Sequence, residues 1–212
     1  MKLYSFFNSS TSFRVRIALA LKGLPYEYAG VNLRAGEQGS QDYRALSPAA
    51  IVPTLVDGDV KLTQSLAIID YLDARYPAPR LVPADPLARA RVLEIAQTIA
   101  CEIHPVNNIR VLKYLSGPLG VSDADKSAWY AHWIEEGLSA VEQLLARGPG
   151  GAFCIGDMPT LADCCLVPQV ANAQRMGCDL SRFERVMAVY AHCMAQQAFI
   201  DAAPQNQPDY IA

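Results

Sequence analysis

Cysteine is missing from the first hundred residues of this 212-residue chain. The six cysteines begin at Cys101, and none forms a C-x-x-C pair or a zinc-ligand spacing. These absences exclude a dithiol oxidoreductase of the C-x-x-C type and a cysteine-rich zinc site, and we expect no metal. Scattered thiols in helix-like segments are typical of reduced, largely buried cysteines in a cytoplasmic protein.

An excess of charge of one sign is also missing, and so are long apolar runs. The 18 basic residues are balanced by 21 acidic residues, for a net charge of −3, which argues against a nucleic-acid partner. No run approaches the roughly 18 apolar residues that a membrane-spanning helix needs. Residues 1–7 lack the basic stretch and cleavage site of a secretory signal. We therefore expect a globular protein that binds neither nucleic acid nor a membrane and lies in the cytoplasm.

The first eighty residues alternate strand-like and helix-like segments. A short strand leads through a Ser/Thr cluster into a helix that ends at Lys22-Gly23, and a second strand follows. A polar stretch with an irregular helix then leads to a hairpin and to a helix that Ser65 is predicted to cap. The four predicted strands are 2–6, 26–33, 51–56 and 60–63. The order βαβ, connecting helix, ββα is that of a thioredoxin-like domain.

The rest of the chain is predicted to be helical. A proline-dense stretch over 76–86 ends the first module, and Asp85 before Pro86 is a plausible helix N-cap. Apolar residues from Val92 to Ile99 recur at helical spacing, and Thr160 with Asp163 forms a capping-box pattern. The predicted fold is thus an α+β thioredoxin-like domain at 1–81, followed by an all-α domain at 86–212.

Three short segments of the first domain carry candidate chemistry. The turn before the first helix holds Ser9 and Ser10, whose hydroxyls either bind the sulfur of a thiol ligand or only cap the helix. Val52-Pro53 either presents its backbone to an extended peptide or is only a rigid turn. Gln64-Ser65 begins the third helix, and its amide, hydroxyl and N-terminal N–H groups suit a carboxylate.

These segments resemble the zeta class of glutathione transferases, which includes maleylacetoacetate and maleylpyruvate isomerases. The likeness covers nearly the whole chain and is carried by four stretches: SSTSFRVRIALALKG at 9–23, VPTL at 52–55, QSLAII at 64–69 and LADCCLVPQV at 161–170.

The resemblance implies the glutathione transferase fold, a homodimer, and glutathione as cofactor. It implies that Ser9, Ser10 and Thr11 are the catalytic residues, with Ser9 holding the glutathione sulfur and the other two beside it. The remaining implied glutathione ligands are Val52, Pro53, Gln64, Ser65, His104 and Asn108. The implied residues for a small dicarboxylate substrate are Asn8, Arg110 and Arg175. From the residues alone, the alternatives are that Asn107 or Asn108 only satisfies backbone groups that Pro105 leaves exposed, and that Arg175 is a surface residue.

The implied reaction is cis–trans isomerisation of maleylacetoacetate or maleylpyruvate, by reversible addition of the glutathione thiolate to the cis double bond. Two alternatives are a transferase that conjugates glutathione to small electrophiles such as α-halo acids, and a non-catalytic glutathione-binding protein. The sequence departs from the family pattern at Asn8, where an arginine is common, at Thr11, where cysteine is usual, and at Phe13. Asn8 removes a cation that would favour a dianionic substrate.

Overall fold

A computed structural model describes residues 1–211 of the chain. Its residues form two compact units, the first made of Met1–Val82 with the chain from Met194 onward, the second of Pro83–Cys193. The strands are β1 Lys2–Ser5, β2 Glu27–Gly30, β3 Thr54–Asp57 and β4 Val60–Thr63. The helices are α1 Ser10–Leu21, α2 Gln41–Leu46, α3 Ser65–Arg75, α4 Pro86–Gln97, α5 Ile109–Ser116, α6 Asp123–Arg147, α7 Leu161–Arg175, α8 Glu184–Met194 and α9 Gln197–Ala202.

The first unit is built on one mixed four-stranded sheet in the order β2-β1-β3-β4. β1 pairs parallel to β2 and antiparallel to β3, and β3 pairs antiparallel to β4. This topology confirms the predicted thioredoxin-like arrangement. β3 begins at Thr54 rather than at the predicted Ile51, because Pro53 has no N–H to donate to a strand ladder.

Helix α1 is buried along most of its length, including two arginines. The Arg16 guanidinium donates to the carbonyls of Phe6, Phe7 and Ala202 and to Ser5 Oγ, at 2.9–3.3 Å. Burial lowers the pKa of Arg16 to about 10. Arg16 therefore fixes the end of β1 and the turn that follows it.

A buried ion pair lies at the C-terminal end of α1. Lys22 Nζ lies 2.7 Å from Asp73 Oδ1 and also donates to the carbonyls of Tyr76 and Pro79. Asp73 accepts in turn from the backbone N–H groups of Leu81 and Val82. These bonds fasten residues 76–82 to α1 and α3.

The chain after α8 packs within the first unit. Helix α9 lies against α1, where Ala202 accepts from Arg16, and Asp209 accepts from the N–H of Phe7 at 3.1 Å. The sequence had placed residues 86–212 in one helical domain, so this packing is a difference from the expected layout. The functional division at 1–81 and 86–212 stays a prediction.

The second unit is all-helical within the described residues. Asp85, Ser122 and Thr160 cap α4, α6 and α7 with their side chains, and Thr160 with Asp163 completes the predicted capping box. One feature was not predicted: α4 continues into a π-helical segment, Thr98–Ile103. No helix within residues 1–211 is long and apolar enough to cross a membrane.

Candidate functional site

The turn between β1 and α1 places Ser9 at the helix N-cap. Ser9 Oγ accepts from the backbone N–H of Ser12 at 3.2 Å, and Ser9 N–H donates to Phe6 O at 3.0 Å. Asn8 precedes it and is partly exposed, whereas Ser10 is the first helical residue and is buried. The capping role expected of Ser9 is therefore present, at a helix end where N–H groups and the helix dipole favour an anion.

A chain of two hydroxyls connects Ser9 to Val52. Thr11 Oγ1 donates to the Val52 carbonyl at 2.9 Å, and it lies 2.9 Å from Ser9 Oγ. A threonine hydroxyl has one hydrogen. Because that hydrogen points to Val52, the Ser9 hydroxyl must be the donor to Thr11. Ser9, Thr11 and Val52 thus form one connected group.

The Val52 backbone lies just outside the strand ladder. The Val52–Pro53 peptide bond is cis, and the paired residues of β3 begin at Thr54, opposite Tyr4 and Thr63. The backbone of Val52 therefore lies at a bend next to the start of β3, without a registered strand partner. Such a segment suits the backbone of an extended peptide ligand.

Gln64 and Ser65 form the N-terminus of α3 in an unusual backbone conformation. Gln64 is the N-cap residue, with φ of 70° and ψ of 115°, and its side chain makes no capping hydrogen bond. The prediction that Ser65 caps this helix is wrong, because Ser65 is already the first helical residue. A non-glycine residue at positive φ is strained, and such residues cluster at functional sites.

Arg14 lies beneath this helix end and was missed as a functional residue from the sequence. Its side chain is 2% exposed, and its Nη1 donates to Ser65 Oγ at 3.4 Å. The Nε and Nη2 atoms of Arg14 are buried without a hydrogen-bond partner. The only signal in the sequence is a cation inside the apolar pattern of α1.

In the second unit, His104, Asn108 and Arg110 surround the start of α5. Asn108 is the N-cap, and its Oδ1 accepts from Arg110 N–H at 3.1 Å. Asn108 Nδ2 lies 3.4 Å from His104 Nε2. Asn107 also binds backbone, donating to Tyr130 O at 3.0 Å. The two amides therefore bind backbone groups of α5 and α6, and Asn108 also lies beside His104.

Arg175 ends α7 and is exposed. Its guanidinium donates to Asn172 Oδ1, and Asn172 Nδ2 donates to the Tyr130 hydroxyl at 2.8 Å. Burial raises the pKa of Tyr130 above its usual value. The phenol therefore stays neutral near physiological pH and helps hold Asn172, which orients Arg175.

The structure thus places the sequence-predicted residues at two places in each unit. The first unit brings together Ser9, Thr11 and Val52 and, at a second helix end, Gln64 and Ser65. The second unit brings together His104, Asn108 and Arg110 at one end of α5, and it holds Arg175 separately at the end of α7.

Comparison with known proteins identifies the family of the chain. The N-terminal domain model of glutathione S-transferases matches residues 3–80, and the C-terminal domain model matches residues 127–200. A probable maleylacetoacetate isomerase of Vibrio cholerae is 47% identical, with 98% of this chain and 97% of the relative covered. A solved holo structure of maleyl pyruvate isomerase, a bacterial glutathione S-transferase of the zeta class, is 48% identical with a TM-score of 0.97, and both chains are covered completely.

A solved maleylacetoacetate isomerase of Methylobacterium extorquens, with bound malonate and glutathione, is 36% identical with a TM-score of 0.93 and complete coverage of both chains. Both domain models match, and relatives at this identity cover the full length of the chain. These matches therefore establish the family as well as the fold. The chain belongs to the glutathione S-transferase family and, within it, to the zeta class.

Proposed function

We propose that this chain is a glutathione-dependent cis–trans isomerase of maleylacetoacetate or maleylpyruvate. The observation that carries the proposal is the Ser9 hydroxyl at the N-terminus of α1, linked through Thr11 to Val52. This arrangement offers a hydrogen-bond donor and a helix dipole to a sulfur anion. The names of the full-length relatives supply the substrate class.

The residues of the first unit fit glutathione as an extended, acidic peptide. The Val52 backbone would pair with the cysteinyl residue, and Pro53 would hold that backbone in place. The uncapped start of α3, with Gln64 and Ser65, would hold the γ-glutamyl carboxylate, because its N–H groups have no capping side chain. His104 and Asn108 of the second unit are assigned to the same ligand by family likeness.

When bound, glutathione supplies a thiolate whose reversible addition to the cis double bond makes that bond single, so that it rotates before the thiolate departs. Ser9 keeps its proton on Oγ and donates a hydrogen bond to the sulfur, which lowers the pKa of the thiol. To do so, the Ser9 hydrogen rotates away from Thr11 Oγ1, which keeps its own bond to Val52. Ser10 contributes to the same helix end.

The substrate needs cations for its two carboxylates. Arg110 and Arg175 are assigned to them, because guanidinium groups bind carboxylates with paired hydrogen bonds. Asn8 offers an amide donor at the position where the family resemblance implies a cation. A separate general acid is not required, since departure of the thiolate restores the double bond directly.

Purified protein mixed with each substrate, with and without glutathione, tests the proposal. The dienol absorbance reports conversion, and a thiol assay reports whether glutathione is consumed. We expect glutathione-dependent conversion to the fumaryl product with total thiol unchanged, and the faster substrate identifies the preferred one. Conversion that consumes thiol would instead indicate a conjugating transferase, and glutathione binding with no conversion of either substrate would overturn the isomerase.

Assembly and location belong to the same proposal. The family likeness supports a cytoplasmic homodimer, and light scattering would then give a mass near twice 23.1 kDa.

A further inference from the structure

Two buried arginines lie two residues apart on α1, Arg14 and Arg16, and they differ in their partners. Every nitrogen of the Arg16 guanidinium donates to an oxygen. Arg14 has a single bond, from Nη1 to Ser65 Oγ, while its Nε and Nη2 are buried without partners. A buried polar group without a hydrogen bond destabilises a protein, and one in a native structure requires an explanation.

The location of Arg14 supplies one. Its guanidinium reaches the first residue of α3, an 11-residue helix whose N-cap Gln64 makes no side-chain capping bond. Ser65 is itself 4% exposed, and it accepts from Arg14 at its only side-chain oxygen. Because Arg14 occupies an acceptor position of Ser65 Oγ, the hydroxyl hydrogen of Ser65 is free to point to another acceptor.

The groups at the start of α3 all present positive charge or positive partial charge. A buried cation, a serine hydroxyl oriented as a donor, and uncapped helix N–H groups all favour an anion at the start of α3. A carboxylate bound there would place a negative charge near the Arg14 guanidinium, which has no anionic hydrogen-bond partner within residues 1–211. We propose that Arg14 is a positioning residue for the cofactor, acting through Ser65 to select the α-carboxylate of the γ-glutamyl group. This rests on the proposed use of glutathione.

The inference predicts opposite effects of one substitution on the free and bound protein. Arg14→Met keeps the apolar stem but removes the guanidinium. In the free protein it is expected to leave the melting temperature unchanged or to raise it, because unpartnered buried N–H groups disappear. Glutathione binding is expected to weaken by about tenfold, equivalent to about 1.4 kcal/mol.

A ligand that lacks the carboxylate separates this role from general packing. In 4-aminobutyryl-cysteinylglycine the α-carboxylate of glutathione is replaced by hydrogen, while the amine and the rest of the peptide remain. Calorimetric binding of both ligands to wild type and to Arg14→Met completes a double-mutant cycle. We expect the substitution to weaken glutathione and to leave the affinity for the analogue within about twofold, a small change on the scale of such cycles.

Matched variants control for charge and folding. Arg80 is an exposed arginine of the same unit, so Arg80→Met removes the same charge and is expected to change neither affinity. Arg14→Lys keeps the charge and is expected to retain part of the preference for glutathione over the analogue. It also keeps the test available if Arg14→Met fails to fold.

An equal loss of affinity for the two ligands, or no loss for either, would overturn the role of Arg14. A wild-type protein that binds no glutathione would overturn both this inference and the cofactor in the proposed function. Wild type that binds glutathione but isomerises neither substrate would overturn only the proposed reaction, because the binding cycle remains measurable.

Discussion

The hydroxyl hydrogen of Ser9 is proposed to form a hydrogen bond to the sulfur of bound glutathione. A hydrogen bond to a charged group is worth about 1.5–3 kcal/mol, and about 1.4 kcal/mol corresponds to one pKa unit. Ser9→Ala is therefore expected to raise the pKa of the bound glutathione thiol by roughly one to two units. The acidic limb of the kcat/KM profile would move to higher pH by the same amount.

Loss of the cap bond to Ser12 is also expected to lower the free energy of unfolding by about 1 kcal/mol. Ser127→Ala, at an exposed position of α6, controls for the loss of a serine hydroxyl and is expected to leave the pH profile unchanged. A Ser9→Ala enzyme with the wild-type pH profile and only lower stability would show that Ser9 caps the helix and nothing more.

At the scale of residues, the role of a side chain could be predicted from the sequence where its hydrogen-bond partners are close along the chain. Ser9 and Thr11 sit next to a recognisable helix start, so their importance follows from the turn itself. The environment of Arg14 depends on which residue of α3, 51 positions away, covers it. The conformation of Gln64 likewise depends on the junction of β4 with α3, and this is why Ser65 was mistaken for the cap.

At the scale of elements, the starts of α4, α6 and α7 were predictable, whereas the π-helical segment that follows α4 was not. Asp85, Ser122 and Thr160 cap their helices with short polar side chains, a local signal that needs no tertiary contact. The apolar spacing through Ile99 continues into the π-helical segment without a visible change. That segment packs against α6, where the Ile103 side chain lies beside Gly137.

Gly137→Ala tests this packing. A Cβ atom at residue 137 would lie 2.1 Å from Ile103 Cγ1 and 2.5 Å from Ile103 Cδ1, so the Ile103 side chain, or the end of the π-helical segment with it, must shift. Glycine to alanine inside a helix is otherwise stabilising by roughly 0.5–1 kcal/mol. Here we expect a net destabilisation of about 1–3 kcal/mol from overpacking, measured by urea unfolding.

Because His104 directly follows Ile103, the same shift is expected to raise the KM for glutathione. Glu136→Ala, on the exposed neighbouring position of α6, is the control and should change neither quantity. A Gly137→Ala protein as stable as wild type would mean that Ile103 adopts another rotamer at no penalty.

At the scale of the whole molecule, the sequence separated strands from helices but missed where the last helix packs. Nothing in the composition changes near residue 194, so residues 86–212 read as one helical stretch. The contacts that join the end of the chain to the sheet unit span 186 residues between Arg16 and Ala202 and 202 residues between Phe7 and Asp209. Pairings at such separation leave no periodic signal.

Truncation of the chain after Met194 tests whether these contacts stabilise the first unit. Buried Arg16 would lose its bond to Ala202, Phe7 N–H would lose its bond to Asp209, and α9 would no longer pack against α1. We expect hydrogen exchange to show a loss of protection in α1 and β1, while α7 keeps its own, since it lies in the second unit. Equal loss in α1 and α7 would indicate global unfolding, and unchanged protection in α1 would show that the sheet unit is stable without the final segment.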